Sequence, residues 1–287
     1  MTDIQYRSPD GLELYARAYG PEDAPLTALC MHGLTRNHKD FEPTIEALGG
    51  RYRFIAVDVR GRGHSAYATD PAQYTPAVYA GDMVSLLDHL KLEKAVLIGT
   101  SMGGLMSMVM ASSAPERIVG IVLNDVGPTV EAAGLNRIAA YAGKGAPMKS
   151  WDEAADAVAK SQAIAFPDYG KEDWIAFAKR TCRVSDDGEI CLDYDPAITA
   201  TLGEVKPSLL TRIAMWRLFN SLKPFPLLII RGETSDVFAQ KTADLMVKRH
   251  PDAAFVNIPG RGHAPMLDEP AAVTAISDFL KRLEAKT

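Results

Sequence analysis

The chain predicts an α/β fold: a mostly parallel central sheet flanked by helices, with an inserted helical cap. Three observations carry that expectation. Short apolar runs recur with helical patterns between them, the signature of βαβ units. One long stretch, 129–223, breaks the alternation. A composition of 47% hydrophobic and 23% charged residues fits a chain that buries a real core. The 287 residues amount to nearly two average domains. Large α/β folds run to about 250 residues as one unit, so one core plus an insertion is expected.

Taken in order, Ile4–Arg7 and Leu12–Tyr19 read as an antiparallel hairpin around a Pro9-Asp10-Gly11 turn. Strands follow at Leu26–Met31, Phe54–Val57, Ala95–Ile98, Ile118–Leu123, Leu227–Ile230 and Ala254–Ile258. Thr75-Pro76, an N-cap and first-turn pair, opens a helix with apolar residues at Tyr79, Met83, Leu86, Leu87 and Leu90. The last helix, after Pro270, repeats that spacing with Val273, Ile276, Leu280 and Leu283 and is expected to cover one face of the sheet.

Residues 1–128 and 224–287 are therefore assigned to the core, and 129–223 to a helical cap without a strong strand. The insertion holds all three tryptophans, Trp151, Trp174 and Trp216, with Phe166, Phe177 and Phe219. Trp151, Phe166, Trp174, Trp216 and Phe219 are the candidates for lining an apolar substrate pocket. The competing expectation is that these rings hold the cap helices to each other.

Several function classes drop out. With 31 basic against 36 acidic residues the net charge is −5, and no Lys/Arg-rich run is present, so nucleic acid is not an expected partner. Cys30, Cys182 and Cys191 are odd in number and lack C-x-x-C spacing, which suits a reducing, cytoplasmic setting better than a disulfide framework or zinc knuckle. No H-x-H, H-x-x-x-H or H-E-x-x-H spacing occurs, so no metal or other cofactor is expected. The segment Met1–Gly11 carries Asp3, Arg7 and Asp10 and does not read as a secretory signal. Ala95–Ala114 is uncharged and as long as a membrane span. Its glycines, serines and threonines make a buried strand turning into a buried helix the better account. A small molecule is the expected partner.

The chemistry centres on Gly99-Thr100-Ser101-Met102-Gly103, a G-x-S-x-G match that directly follows the strand Ala95–Ile98 and opens a helix. A serine on so sharp a turn leaves no room for side chains two residues to either side, hence the glycines. The helix N-terminus behind it presents backbone N–H groups to a developing oxyanion. Serine at its normal pKa is a poor nucleophile and needs a base and an orienting acid. Of six histidines, His89, His250 and His38 suit surface or capping roles. His32 and His64 neighbour glycines in strand-end loops. His263, in Gly260-Arg261-Gly262-His263, follows the last strand in a loop able to fold back over the sheet edge, and is the favoured base. For the acid, Asp236 lies just past the strand Leu227–Ile230, with Glu233 and Asp125 as rivals.

On these motifs, spread from His32 to His263, the chain resembles the α/β-hydrolase fold superfamily, with the weakest likeness in the cap. The resemblance implies a triad in the chain order nucleophile, acid, histidine, which Ser101, Asp236 and His263 reproduce; some relatives place the acid after the preceding strand, where Asp125 sits. It also implies an oxyanion hole from the backbone amides of Leu34 and Met102, and a structural role for His64 within Asp58–Ser65. Serine at the elbow disfavours the dehalogenases and epoxide hydrolases of this fold, which use a carboxylate there. The expected activity is hydrolysis of a small to medium hydrophobic carboxylic ester through an acyl-enzyme. Alternatives are a lactonase, a carbon–carbon bond hydrolase of ring-cleavage products, and, from another class, a ligand receptor with little turnover.

Overall fold

The computed structural model describes residues 1–200 and 208–286. Among the described residues the strands are β1 (Thr2–Arg7), β2 (Glu13–Tyr19), β3 (Thr27–Met31), β4 (Arg53–Asp58), β5 (Ala95–Thr100), β6 (Ile118–Asn124), β7 (Cys182–Val184), β8 (Ile190–Leu192), β9 (Leu227–Gly232) and β10 (Ala253–Ile258). The helices are α1 (Glu42–Leu48), α2 (Pro76–His89), α3 (Met102–Ser113), α4 (Ala132–Tyr141), α5 (Trp151–Gln162), α6 (Lys171–Thr181), α7 (Leu209–Asn220), α8 (Gln240–Arg249) and α9 (Pro270–Glu284). Eight strands form one sheet in the order β1-β2-β4-β3-β5-β6-β9-β10. The β1–β2 and β2–β4 pairs are antiparallel and the remainder parallel.

Side chains alternate across a strand, so each central strand feeds two cores. Leu29, Met31, Ile55, Val57, Leu97, Ile121, Leu123 and Ile229 face α2, α3 and α8 through Met83, Leu87, Met106, Met110 and Met246. Ala28, Cys30, Phe54, Ala56, Val96, Ile98, Val122 and Ile230 face α1 and α9 through Ile45, Ile276, Phe279, Leu280 and Leu283. Burial on both faces explains why these strands read as near-continuous apolar runs. It also disposes of the membrane-like stretch: Ala95–Ala114 is β5 turning into α3 at the middle of the sheet. Among the described residues no helix is long and apolar enough to cross a membrane.

Between β6 and β9 the chain runs through α4 to α7, together with a small β7–β8 hairpin that the sequence reading lacked. Its strands are three residues each, too short for alternation to register. The far end of this insertion belongs to the sheet layer: Phe219 is buried in the core on the α2–α3 side, with Trp216 packed against that core. Trp216 stands edge-on to Phe219 at 5.5 Å and lies under the Arg249 guanidinium at 4.2 Å. These two rings are structural, which overturns their assignment to a pocket.

Candidate active site

Ser101 sits between β5 and α3 with φ 50° and ψ −107°, a conformation rare for a residue with a side chain. Its N–H donates to the Asn124 carbonyl at 2.9 Å, and its own carbonyl accepts from Gly104 and Leu105. The flanking glycines are required by space: a Cβ on Gly103 would drive into the Met31 carbonyl, and one on Gly99 into the Gly103 backbone. The turn thus holds the serine hydroxyl above the C-terminal edge of the sheet.

His263 arrives on the loop after β10, and its Nε2 lies 2.9 Å from Ser101 Oγ. Its Nδ1 lies 2.7 Å from Asp125 Oδ2. A carboxylate beside Nδ1 makes that nitrogen the donor, which leaves Nε2 as the acceptor for the serine proton. Asp125 follows β6 directly, is fully buried, and has φ 55°. Its carboxylate also accepts from the Gly232 N–H at 2.8 Å and the Ser235 hydroxyl at 2.6 Å.

The expected acid, Asp236, is therefore displaced by its rival. Its carboxylate takes a bidentate pair from Arg137 of α4 at 2.6 and 2.9 Å, and those hydrogen bonds hold it below the usual carboxylate range. The loop after β9 presents Ser235, not Asp236, to the site, so the loop supports the Asp125 carboxylate without supplying its own. Glu233 accepts from the Gly260 N–H at 2.9 Å and braces the histidine loop from outside.

The other histidines are accounted for. The His64 amide donates to Asp58 and its ring packs on Tyr15 at 4.8 Å, as a structural residue would. His38, expected at the surface or as a cap, is instead buried, its Nδ1 2.8 Å from Asp58 Oδ1. His250 bonds the Leu222 carbonyl through Nε2 at 3.0 Å, and the His89 ring lies 6.5 Å from that of Tyr6.

His32 is fully buried, with Nδ1 2.7 Å from the Gly33 carbonyl and Nε2 accepting from the Val59 N–H at 3.0 Å. Burial, assisted by the nearby Arg62 charge, pushes its pKa from 6.5 down to about 4. Above pH 6.5 both folded and unfolded chains keep this ring neutral. Between 6.5 and 4 only the unfolded chain takes the proton, so stability falls with falling pH and levels off below 4. The loss should total about 3 kcal/mol. Urea unfolding across this window checks it; a His32→Asn variant that still folds should lose much of the slope, and an undiminished slope would assign it to other groups.

Both expected oxyanion donors adjoin Ser101. Met102 is the first residue of α3, and Leu34 follows Gly33, where a Cβ would come within 3.9 Å of the Ser101 Cβ. Among the described residues neither amide has a hydrogen-bond acceptor, as open oxyanion donors require.

A small cavity of about 50 Å³ opens over Ser101 and His263, and a second of about 450 Å³ adjoins it. Thr35, Arg36, Tyr141 and Gln162 border both. The larger one is of mixed character, with Met148 and Phe177 on its wall beside Lys144, Glu153 and Asp156. Trp151, Phe166 and Trp174, offered as pocket candidates, border neither. Phe166 stacks on Tyr169 at 4.7 Å and meets Trp174 and Phe177 edge-on at 6.3 and 5.8 Å, while Trp151 packs against the same cluster. Rings of this size gain most by burying one another, so the competing expectation for them is the correct one. The sequence reading missed Arg36, Tyr141 and Gln162. Gln162 left a trace: it continues the buried stripe Ala154, Ala155, Val158 of α5, where a polar residue is out of place.

Residues 28–276 match the family described as Alpha/beta hydrolase family. The chain is 33% identical over 282 residues to a 3-hydroxybutyrate-oligomer hydrolase of Cupriavidus necator, covering 96% of each. It is 27% identical to a 2-(acetamidomethylene)succinate hydrolase of Mesorhizobium japonicum, over 82% of this chain and 80% of the other. The crystal structure of an alpha/beta hydrolase from Novosphingobium aromaticivorans superposes with a TM-score of 0.90 at 42% identity, covering 98% of each chain.

Proposed function

Because the chain belongs to the alpha/beta hydrolase family, we propose that it is a serine esterase acting through an acyl-enzyme, with Ser101 as nucleophile, His263 as base and Asp125 as orienting acid. The hydrogen-bonded series Asp125–His263–Ser101 on the strained turn carries this reading. Ser101 Oγ attacks the ester carbonyl while its proton passes to His263 Nε2, and the oxyanion takes the amides of Leu34 and Met102. The alcohol leaves with that proton, and water activated by the same nitrogen releases the acid. Neither metal nor cofactor enters this scheme.

We assign the insertion ahead of α7, residues 129–200, the role of a cap, since Tyr141 and Gln162 from α4 and α5 border the cavity over Ser101, whereas α7 belongs to the sheet layer. The mixed lining of the adjoining cavity favours a more polar substrate than the hydrophobic ester expected from the aromatics. A short oligoester of a small hydroxy acid suits it: one ester carbonyl at Ser101, the next within reach of Arg36, Tyr141 and Gln162. The relative from Cupriavidus necator, named for such an oligomer, supports this choice. The three cysteines are free, which suits the reducing, cytoplasmic setting we assign.

A hydrolysis panel tests the substrate class: 3-hydroxybutyrate dimer and trimer, p-nitrophenyl esters of rising chain length, a lactone and a dienoic ring-cleavage product. The oligoesters should give the highest kcat/KM. Preference for long p-nitrophenyl esters would restore the hydrophobic reading, turnover of the dienoic compound alone would make it a carbon–carbon bond hydrolase, and stoichiometric binding without turnover of any compound would make it a receptor.

A further inference from the structure

Two arginines in the segment following β4 are equally buried and differently provided for. Arg60 forms bidentate pairs with Asp82 at 2.8 and 2.7 Å and with Asp10 at 2.9 Å to each oxygen. Arg62 is completely buried, and among the described residues no carboxylate lies within ion-pair distance of it. Leaving a guanidinium in the interior without a counter-charge is costly. The chain nevertheless builds a place for it. Gly61 and Gly63, at φ 77° and 54°, flank it, and a side chain at either would collide, with the Tyr74 ring and the Asp58 carboxylate respectively. The loop is pinned from the insertion by the Asp195 N–H on the Gly61 carbonyl at 2.8 Å and the Gly63 N–H on the Asp193 carbonyl at 3.0 Å.

Its contacts say what the charge is directed at. Nε donates to the Leu34 carbonyl at 3.0 Å, and Nη2 reaches Met102 Sδ at 3.5 Å. Nη1 donates to the Arg60 carbonyl at 2.7 Å and to the Tyr79 hydroxyl at 3.1 Å. The rings of Tyr74 and Tyr79 lie 5.6 and 5.1 Å from the guanidinium carbon and offset part of the burial cost. One side chain thus joins the two residues whose amides serve the oxyanion, residues that come from different strand ends and otherwise depend on separate loops.

We propose that Arg62 is the positioning residue of the oxyanion hole: it clamps Leu34 to Met102 at fixed separation and places an uncompensated positive charge behind the two amides. The proposal rests on the acyl-enzyme reading above. Negative charge exists at that position only in the tetrahedral intermediate and its flanking transition states, so the benefit falls on kcat and not on substrate binding. A planar fork is needed to reach a carbonyl and a thioether at once, which a lysine ammonium cannot do.

The test uses Arg62→Met and Arg62→Lys in the full-length protein, with p-nitrophenyl acetate as substrate and an alkyl trifluoromethyl ketone as probe, whose serine hemiketal carries the same oxyanion. Arg62→Met should lower kcat about 10²-fold with KM within about twofold, and should weaken ketone inhibition by a similar factor. Arg62→Lys should recover part of both losses. A folded Arg62→Met protein with wild-type kcat overturns the proposal, as does one that loses turnover while binding the ketone as tightly as before. If the methionine variant does not fold, the lysine variant decides: reduced kcat with unchanged KM supports the role, and wild-type kcat overturns it. Wild-type protein that neither hydrolyses the ester nor binds the ketone would overturn the acyl-enzyme reading, and the role of Arg62 with it.

Discussion

Asparagine in place of Asp125 should lower kcat by about 10⁴, the loss seen when the equivalent acid of a serine protease is made an amide. The amide keeps the shape but can donate to Nδ1, which favours the tautomer whose Nε2 carries a proton and cannot take one from Ser101. Folding should survive at a cost of about 1–3 kcal/mol, since the carboxylate also accepts from Gly232 and Ser235 and an amide meets those donors less well. Asp236→Asn should retain turnover within a few-fold and lose mainly its pairing with Arg137. Steady-state kinetics with thermal unfolding of both variants settles the matter. Abolished turnover in a folded Asp236→Asn protein, with Asp125→Asn active, would return the acid to the loop after β9.

Removing the nucleophile should cost more. Ser101→Ala is expected to reduce kcat by about 10⁶, as loss of the serine does in a well-studied protease, with residual rate from oxyanion stabilisation and binding. Its stability should change little, because among the described residues the hydroxyl bonds only His263 Nε2. A fluorophosphonate should add once to the wild-type protein, on the peptide containing Ser101, and not to the variant. An adduct on any other serine, or an alanine variant with substantial turnover, would place the chemistry elsewhere.

The parts of this site that were legible in advance are those whose cause lies within a few residues of chain. Gly99 and Gly103 are dictated by the crowding of one turn, and the strand before it and helix after it show in the residues themselves. His263 was readable because its loop is glycine-rich and follows the last strand. The parallel strands were readable because burial on both faces writes continuous apolar runs. The three-residue strands β7 and β8 were not, since so short a segment carries no period.

The aromatic residues of the insertion show the opposite case. A tryptophan on a helix is marked for burial by its size, but sequence does not say against what. Phe219 went to the sheet core, Phe166 and Trp174 went to one another, and the border of the cavities fell to Arg36, Tyr141 and Gln162.

The choice between Asp125 and Asp236 is of the same kind. Both follow strands that end at the same edge of the sheet, and both are close enough in chain order to serve. Fold class, the strands of the sheet, the turn that carries Ser101 and the loop that carries His263 were set by local sterics and hydrophobic periodicity, and those are written along the chain. The strand order, the carboxylate that meets His263, the residues around the cavities and the contacts of Arg62 were decided by which loops meet once the sheet has formed. Arg137 on α4 claims Asp236, the backbone turn at Asp125 swings its carboxylate beneath His263, and the glycines beside Arg62 let it reach two strand ends. Each of these is a contact between distant segments, and its energy exists only after packing has brought them together.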